Sequence, residues 1–535
     1  MEEKWLKFYE EGVAYHLDYP KLTLPQILSN TANQYPEHTS MVYSAKQWTY
    51  RELETMVNQM ANLLITLGIT AGDRVGIQLP NSPQFIIVYY GILTAGAVAV
   101  PINPQFCGDD LTLIINDSGM KASITSVEIS AFYKNIINKN LKVIVTDIKT
   151  PFGPEQSYSV PDRPLQLEQL LFAQSEQKPA SKITYASIAT LQYTGGTTGR
   201  SKGAVLTHYN LVANARQFRE LFTNVYEDGA GRFICVIPLF HIYGLTTSMN
   251  GAVYSGSAML LLPKFDLNDL MQLVDHYKAN LFMGVPAMYG AMTMRDTQNY
   301  DLRSIKACVS GSAPLPLAVQ EKFQEITGGR LVEGYGLSEA SPVVAVNPIY
   351  GLSKNGSIGI PVPDTQVKII DPQTGREITE PDLVGELVVK GPQVMQGYWN
   401  RPDETALVLK DGWLHTGDLV KRDEDGYLYI ADRLKDMIIM GGEKIYPREI
   451  EDLLYSHPAI REAAVIGVPH PLRGEVPEAY VALKAGADSS EKELRQFCAK
   501  HLAKFKVPSK INIVDELPRS SVGKVLRRLL KENVR

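Results

Sequence analysis

The sequence predicts an α/β protein built in three successive parts: a large α/β part, a small β-barrel-like part and a C-terminal α+β part. Over residues 1–330, helical spacing alternates with apolar strand-like segments, which is typical of parallel sheets with helices on both faces. From residue 355, short β-like segments separated by turns indicate a small barrel. After residue 433, about a hundred residues of mixed pattern are long enough for a separate small domain.

In the first part, the predicted elements follow one another as strand–helix pairs. Helices are predicted over 49–67, 82–95, 267–277 and 315–328, with two more beginning near 208 and at 286. Strands are predicted over 74–79, 97–101, 142–147, 187–193, 233–237, 258–262 and 281–285. Residues 76–108 carry no charge, but their prolines and glycines would break a membrane-spanning helix. We interpret them as a buried helix followed by a buried strand.

The later parts show shorter elements. In the barrel-like part, strands are predicted at 366–370, 386–390 and 427–430. In the C-terminal part, strands are predicted at 437–440, 463–468 and 479–483, and helices at 447–456 and 490–503.

Composition and charge limit the class of protein. The 535 residues exceed what one hydrophobic core usually holds, so about two to four domains are expected. The net charge of −5 does not support nucleic-acid binding. The cysteines at positions 107, 235, 308 and 498 form no C-x-x-C pair, which disfavours zinc and disulfides and favours a reducing, cytoplasmic compartment. The charged start, MEEKWLKFYEE, is not a secretory signal.

The most informative motif is the glycine-rich run TGGTTGRSKG at residues 194–203. Backbone N–H groups of a glycine-rich turn can converge on an anion, and the hydroxyls, Arg200 and Lys202 add donors and positive charge. The run favours a phosphate site, although neither G-x-x-x-x-G-K-[ST] nor G-x-G-x-x-G fits it. By itself it is equally compatible with a solvated surface loop.

Five further segments contain residue types suited to nucleotide chemistry. They are 309–315 (VSGSAPL), 332–342 (VEGYGLSEASP), 412–419 (GWLHTGDL), 429–451 and 518–528 (PRSSVGKVLRR). Glycines flanking Tyr335 leave its ring free to stack on a flat ligand, and Glu339 offers an oxygen ligand that suits Mg²⁺. Taken singly, each has a structural alternative: Asp418 can stabilise a turn, Glu339 can cap a helix and Lys524 can be a solvated lysine.

Together, in this order and spacing, the motifs resemble those of acyl-adenylate-forming enzymes, the superfamily of acyl-CoA synthetases, peptide-synthetase adenylation domains and beetle luciferases. The resemblance covers nearly the whole chain. It implies a large N-terminal domain of two α/β sheets plus a small β-barrel, over residues 1–433 with the barrel near 340–433. It also implies a mobile C-terminal α+β domain, residues 434–535, with a hinge near Lys435.

The resemblance further implies a two-step reaction. A carboxylate attacks the α-phosphorus of ATP and releases pyrophosphate, and a thiol then attacks the acyl carbon of acyl-AMP and releases AMP. It implies that Lys524 is catalytic in the first step, meeting the charge that develops at the carboxylate and α-phosphate. Rotation about the hinge would withdraw Lys524 and bring Gly441 and Gly442 toward the acyl-AMP for coenzyme A.

Site residues follow from the same resemblance. The phosphates of ATP are assigned to Thr194, Gly195, Gly196, Thr197, Thr198, Gly199 and Lys202. The adenine side is assigned to Gly311, Ser312, Ala313, Gly334, Tyr335, Gly336 and Ser338. The ribose is assigned to Asp418 and Arg433, and Mg²⁺ to Glu339 assisted by Thr198.

The chain departs from the family pattern at few positions. The family loop T-S-G-T-T-G-x-P-K-G has Gly195 and Ser201 here in place of Ser and Pro, which implies a more flexible loop with one hydroxyl fewer. Ser338 replaces the Thr of Y-G-x-T-E and keeps the hydroxyl. Neither change argues against the reaction.

The segment PLFHIYGL, residues 238–245, bears on the acid. No acidic residue follows until Asp266, and an unpaired substrate ammonium in so apolar a wall would be costly, so amino acids are disfavoured. The uncharged stretch 244–262 suits an acyl chain, with His241, Gly244, Ser248 and Gly251 as pocket residues and His241 also as a catalytic candidate. A buried structural histidine is the alternative for His241.

The N-terminal segment WLKFYEEGVAYHLDYPKLTL resembles the leader of bacterial fatty acyl-CoA ligases. We therefore expect a medium- or long-chain fatty acid, with an aryl acid of the 4-coumarate kind as runner-up. Coenzyme A is the expected acceptor, and a separate acyl carrier protein stays open. A degenerate, non-catalytic lipid- or nucleotide-binding protein is the alternative from another class. No integral membrane segment is expected, peripheral membrane contact stays open, and no oligomeric state is predicted.

Overall fold

A computed structural model describes residues 4–133, 141–149, 152–154, 165–194, 201–441, 443–519 and 525–532. The chain divides into two compact units, one made of residues 1–366 and 389–414, the other of residues 367–388 and 415–535. The expected domain boundary at residues 433 and 434 concerns a rotation about Lys435, and it stays a prediction.

Strands and helices alternate through the first unit, and the longest described strand, Ile460–His470, lies in the second unit. The described strands are β1 (Thr39–Tyr43), β2 (Lys46–Thr49), β3 (Arg74–Gln78), β4 (Val98–Pro101), β5 (Ala122–Ser126), β6 (Lys142–Thr146), β7 (Leu165–Gln166), β8 (Ile188–Thr194), β9 (Lys202–Thr207), β10 (Arg232–Cys235), β11 (Ala258–Leu261), β12 (Leu281–Gly284), β13 (Ala307–Ser310), β14 (Arg330–Gly336), β15 (Val343–Val346), β16 (Ile360–Pro361), β17 (Gln366–Ile370), β18 (Gly385–Lys390), β19 (Leu409–Lys410), β20 (Trp413–Arg422), β21 (Leu428–Arg433), β22 (Ile438–Met440), β23 (Glu443–Ile445), β24 (Ile460–His470), β25 (Gly474–Leu483) and β26 (Lys510–Ile513). The described α-helices are α1 (Leu24–Gln34), α2 (Tyr50–Thr66), α3 (Pro83–Thr94), α4 (Gly108–Ser118), α5 (Leu167–Leu171), α6 (His208–Glu220), α7 (Gly251–Tyr254), α8 (Leu267–Tyr277), α9 (Pro286–Thr293), α10 (Leu317–Thr327), α11 (Pro402–Val408), α12 (Pro447–Tyr455), α13 (Glu491–His501) and α14 (Arg527–Glu532). Shorter helical segments are the 3₁₀ turns Lys4–Phe8, Ser130–Tyr133 and Ser338–Ala340 and the π-helix Gly244–Asn250.

Two largely parallel sheets form the first unit, as the sequence predicts. The seven-stranded sheet has the order β7-β6-β5-β3-β4-β8-β9 and is parallel except for the pair β8–β9. The nine-stranded sheet has the order β16-β15-β14-β13-β12-β10-β11-β1-β2 and is parallel from β14 to β1, with antiparallel pairs at both edges. Parallel strands need crossover connections, so loops that can bind ligands collect at the carboxyl ends of the strands.

The uncharged stretch 76–108 is confirmed as a buried helix followed by a buried strand. The Ser82 hydroxyl caps α3 by accepting the N–H of Phe85, Pro83 lies in the first helical turn, and every residue of α3 is buried. β4 is also buried along its length and pairs with β3 and β8. Within the described residues, no helix combines the length and the apolar character needed to cross a bilayer.

One predicted connection is wrong. The sequence places the glycine-rich run between a strand and a helix, yet β9 begins at Lys202 and pairs antiparallel with β8, so the run joins two strands of a hairpin. The helix begins after β9, at His208, as expected, with Thr207 as its N-cap. Because β9 is buried at every position after Lys202, it lacks the polar–apolar alternation by which a half-buried strand is recognised.

The remaining strands form two smaller sheets. The barrel-like part is a five-stranded sheet, β17-β18-β20-β19, with β21 beside β20. The C-terminal α+β part is a second five-stranded sheet, β23-β22-β25-β24, with β26 beside β25. Apolar side chains of α12 and α13, among them Ile450 and Leu494, pack with strand residues such as Ile438 in its core.

Candidate functional site

The two ends of the glycine-rich run are held side by side at the tip of the β8–β9 hairpin. Thr194, the last residue of β8, pairs with Lys202, the first residue of β9. The structure does not describe six of the residues between them, which are Gly195, Gly196, Thr197, Thr198, Gly199 and Arg200. The hairpin therefore fixes the positions of both ends of the run, which lie together at the carboxyl end of β8.

Lys202 is enclosed by an acid and an aromatic ring. Its ammonium forms an ion pair with the carboxylate of Glu404, in the first turn of α11, and lies 5.2 Å from the centroid of the Tyr398 ring. The side chain of Lys202 is 17% exposed and that of Glu404 is 33% exposed. A cation over an aromatic face is attracted by the ring quadrupole, so Tyr398 and Glu404 both hold the lysine.

Tyr398 also joins Lys202 to the expected metal ligand. Its hydroxyl donates to Oε1 of Glu339 at 2.8 Å, and Glu339 lies in the 3₁₀ turn that connects β14 to β15. Burial, reinforced by the nearby Glu339 carboxylate, raises the pKa of Tyr398 well above its usual value, so the hydroxyl keeps its proton and remains a donor. The structure thus brings Lys202 and Glu339 to one tyrosine, the lysine over its ring and the carboxylate at its hydroxyl.

The segment that carries Tyr398 is fastened along β9. The N–H of Trp399 donates to the carbonyl of Gly203 at 2.8 Å, and the N–H of Val205 donates to the carbonyl of Gly397 at 2.9 Å. Asp117 links the same segment to β8. Its Oδ1 accepts a hydrogen bond from the Arg401 guanidinium at 2.8 Å, and its Oδ2 accepts one from the Tyr193 hydroxyl at 2.7 Å. Both strands of the hairpin are therefore anchored to the same segment.

No sequence motif pointed to Tyr398, Glu404, Asp117 or Arg401. The available signal was the stretch GYWNRPDE, residues 397–404, which concentrates two aromatic residues and three charges where no strand or helix is predicted. The role of this stretch in the site depends on contacts with residues about 60 to 280 positions away in the chain, such as Glu339 and Asp117. No local pattern reports such contacts.

The two segments expected to border the adenine leave neighbouring parallel strands. β13 pairs with β14 in register Ser310 with Glu333, so residues 311–313 and 334–336 emerge beside each other at the carboxyl edge. Ser312 adopts a left-handed conformation, with φ of 71°. Tyr335 is half-buried at the end of β14, and Ser338 opens the 3₁₀ turn that contains Glu339. The expected adenine residues Gly311, Ser312, Ala313, Gly334, Tyr335 and Gly336 thus share one edge of the sheet.

His241 lies at the start of a helical segment. A hydrogen bond within that segment orients its imidazole ring. Its Nδ1 accepts the N–H of Tyr243 at 3.2 Å, so a neutral imidazole carries its proton on Nε2. Before it, the Asn81 amide fixes the turn by donating to the carbonyls of Cys235 and Ile237 and accepting the N–H of Leu239. The position expected for a substrate-side histidine is therefore rigid.

The stretch expected to line the acyl chain, residues 244–262, begins with a π-helix that is followed directly by α7. The residues of the π-helix Gly244–Asn250 are all buried, and the Ser248 hydroxyl has no hydrogen-bond partner among the described residues. A π-helical turn is uncommon and often occurs at functional sites. The sequence did not predict it, since glycine, serine and threonine are poor helix formers.

Gly244 is expected to be a pocket residue, but backbone atoms fill the space where its side chain would be. A Cβ at Gly244 would lie 2.6 Å from the carbonyl oxygen of Pro238 and 2.7 Å from that of Ile237. At Gly251, a Cβ would meet the carbonyl oxygen of Thr246 at 3.3 Å and the Phe218 ring at 3.7 Å. Neither glycine faces free space, so enlarging Gly244 would disturb the backbone instead of shortening a pocket.

Gly244→Ala should therefore destabilise the protein by about 1–3 kcal/mol, since a methyl group forced against backbone carbonyls has no side chain to displace. Urea unfolding of the full chain measures this loss. Gly251→Ala is the matched control and should cost less, because its contacts are longer. Equal stability of Gly244→Ala and the parent protein would contradict the packing described for Gly244.

In the second unit, Asp418 and Arg433 are directly opposite each other on β20 and β21. The guanidinium Nε of Arg433 lies 3.3 Å from Oδ1 of Asp418. Glu386 holds the residues of β20 that precede Asp418, since its Oε1 accepts the N–H of Gly417 at 3.1 Å and its Oε2 pairs with His415 Nδ1 at 2.8 Å. The two residues expected to bind the ribose are thus adjacent to each other.

The remaining expected residues belong to the C-terminal part of the chain. Lys435 is exposed just after β21, and Gly441, with φ of 61°, is exposed at the end of β22, with open space where a side chain would be. Gly442 and Lys524 lie outside the described residues. The segment that contains Lys524 is bounded by Arg519 and Val525, which form an antiparallel bridge.

Comparisons with known proteins show which family the chain resembles. The pattern of the family described as "AMP-binding enzyme" matches residues 28–399, and that of the "AMP-binding enzyme C-terminal domain" matches residues 449–524. A long-chain-fatty-acid–CoA ligase from Bacillus subtilis (strain 168) is 43% identical, over 99% of this chain and 98% of that protein. 4-Coumarate–CoA ligase 1 from Solanum tuberosum is 34% identical, over 90% of this chain and 88% of that protein.

Among solved structures, ATP-bound MatB from Rhodopseudomonas palustris matches with a TM-score of 0.86 and 30% sequence identity, covering 96% of this chain and 99% of that one. The two α/β sheets, the β-sheet part and the C-terminal part expected from the resemblance are therefore those of a known architecture. On the extent of these matches, the chain belongs to the AMP-binding enzyme family.

Proposed function

We propose that the protein is an AMP-forming fatty acid–CoA ligase. ATP converts a medium- or long-chain fatty acid to acyl-AMP with release of pyrophosphate, and the thiol of coenzyme A then takes the acyl group with release of AMP. The observation that supports this most is the grouping of Lys202, Tyr398 and Glu339 at the base of the glycine-rich run. It combines a cation for phosphates with a carboxylate for a metal ion in one place.

The roles of the nucleotide residues follow from this grouping. Thr194, Lys202 and the glycine-rich run between them would hold the β- and γ-phosphates. The edge formed by residues 311–313 and 334–336 would hold the adenine, with Tyr335 stacked on it. Asp418 and Arg433 would hold the ribose, since a carboxylate accepts two hydroxyl hydrogen bonds and the guanidinium of Arg433 lies 3.3 Å from it.

The residues present fit a magnesium ion. Mg²⁺ sites that carry nucleotides use one or two carboxylates and complete the shell with phosphate oxygens and water. Glu339 has one carboxylate oxygen engaged by Tyr398 and offers the other, and the Thr198 hydroxyl would assist. When bound, the ion would offset the charge of the phosphates, while Tyr398 keeps the carboxylate of Glu339 oriented.

The acid is assigned from the wall of the site and from the relatives. The buried π-helix offers no carboxylate for a substrate ammonium, which supports an apolar acyl group over an amino acid. The relative from Bacillus subtilis supports a long-chain fatty acid, and the relative from Solanum tuberosum keeps an aryl acid as the second candidate. His241, held by its neighbours at the start of this wall, would lie on the substrate side.

Pyrophosphate release with a panel of acids tests the proposal. Fatty acids should release pyrophosphate with ATP and Mg²⁺, and coenzyme A should convert the product to a thioester. Release with cinnamates but not with fatty acids would favour the aryl-acid ligase. Binding of ATP without pyrophosphate release from either class would favour the non-catalytic alternative.

A further inference from the structure

The ion pair between Lys202 and Glu404 places a negative charge where phosphates are expected to bind. Lys202 is the cation assigned to the nucleotide phosphates, yet its ammonium is paired with the Glu404 carboxylate, and both side chains are partly buried. The ammonium has three N–H donors and can contact both groups, but the Glu404 carboxylate and a polyphosphate beside it would repel each other. We therefore expect a bound polyphosphate to weaken the contact between Lys202 and Glu404.

The position of Glu404 is set by the fold. The Thr405 hydroxyl, next to it in α11, donates to the carbonyl of Arg401 at 2.8 Å and accepts the N–H of Tyr398 at 2.9 Å. The Arg401 side chain is in turn fixed to Asp117. Glu404 is thus carried by a helix tied to the same segment that is hydrogen-bonded along β9, which keeps its carboxylate next to Lys202.

Resting on the proposed function, we propose that Glu404 is the resting counter-ion of Lys202 and that the β- and γ-phosphates of a bound nucleotide displace it. Glu404 is a positioning residue that acts through Lys202. It holds the ammonium over the Tyr398 ring when no polyphosphate is bound, and it lowers the affinity for ATP and for pyrophosphate alike. Weaker retention of pyrophosphate favours its release after the first step.

Glu404→Gln tests this role because glutamine keeps the size of the side chain and removes the charge. Calorimetry on the full chain should show ATP and inorganic pyrophosphate binding about two- to fivefold more tightly, the range expected for a partly exposed ion pair. The Kd for AMP, which lacks the β- and γ-phosphates, should not change. A merely structural role would move all three affinities together and would overturn the proposal.

Two further variants make the test specific. Asp403→Asn removes a charge from the exposed neighbour of Glu404 in the same helical turn and should leave all three affinities unchanged. In a Lys202→Ala background, Glu404→Gln should bring no gain, because the counter-ion acts through the lysine. A gain that persists without Lys202, or weaker pyrophosphate binding in Glu404→Gln itself, overturns the counter-ion role.

The outcome also separates this inference from the proposed function. If the unaltered protein binds neither ATP nor pyrophosphate, the proposed function fails together with the inference. If the unaltered protein binds both and Glu404→Gln leaves their affinities unchanged, only the inference fails.

Discussion

Replacing Lys524 by alanine should abolish formation of the acyl-adenylate and leave the thioester-forming step intact. In the first step the carboxylate attacks the α-phosphorus, and negative charge builds up where the lysine ammonium is expected. Removing a group that stabilises such charge typically slows a reaction about 10²–10³-fold. Attack of the coenzyme A thiol on preformed acyl-AMP does not use this charge, so its rate should stay near that of the unaltered protein.

The two half-reactions are measured separately. Pyrophosphate release from ATP and a fatty acid reports the first, and thioester formation from synthetic acyl-AMP and coenzyme A reports the second. Lys504→Ala, which removes an exposed lysine shortly after α13, is the control and should alter neither. An equal fall in both half-reactions in Lys524→Ala would contradict the assignment of Lys524 to one step.

Arg527→Ala should destabilise the second unit strongly. The Arg527 guanidinium donates to the Glu451 carboxylate at 2.7 and 2.8 Å and to Asp436 Oδ2 at 3.1 Å, and it lies 3.8 Å from Asp432 Oδ1. The side chain of Asp432 is only 1% exposed. Removing this cation would leave three acids close together, and we expect a loss of about 2–3 kcal/mol of the free energy of unfolding.

The loss should depend on pH. Burial raises the pKa of Asp432, and the charge of Arg527 opposes that rise, so the pKa should be higher still in the variant. A carboxyl whose folded pKa is raised costs stability as the pH rises through that pKa. The deficit of Arg527→Ala should therefore be largest near pH 7 and shrink toward pH 4.

Calorimetric unfolding of the full chain across this pH range measures the effect. Lys506→Ala, which breaks a more exposed ion pair with Glu449 in the same unit, is the matched control and should cost less than about 1 kcal/mol at any pH. A deficit of Arg527→Ala that is independent of pH would show that lost packing, and not the uncompensated carboxylates, causes the destabilisation.

Much of the fold could be predicted because its signals are local. The strand–helix alternation of the first 330 residues predicts parallel sheets, and α2 and α8 appear where the apolar spacing predicts them. The prediction failed at β9 and at the π-helix Gly244–Asn250. Both are buried on every side, so tertiary packing outweighs the local preferences on which a sequence pattern depends.

The candidate site divides in the same way. By itself the sequence determined the α/β class, the order of the motifs and the chemistry of their residues, since periodicity and residue type are properties of neighbouring positions. Only the tertiary structure decided that Tyr398 links Lys202 to Glu339, that Glu404 holds Lys202, and that Gly244 faces backbone instead of a pocket. Such contacts depend on the order of strands in the sheets, and sheet order joins residues far apart in the chain that no local pattern connects.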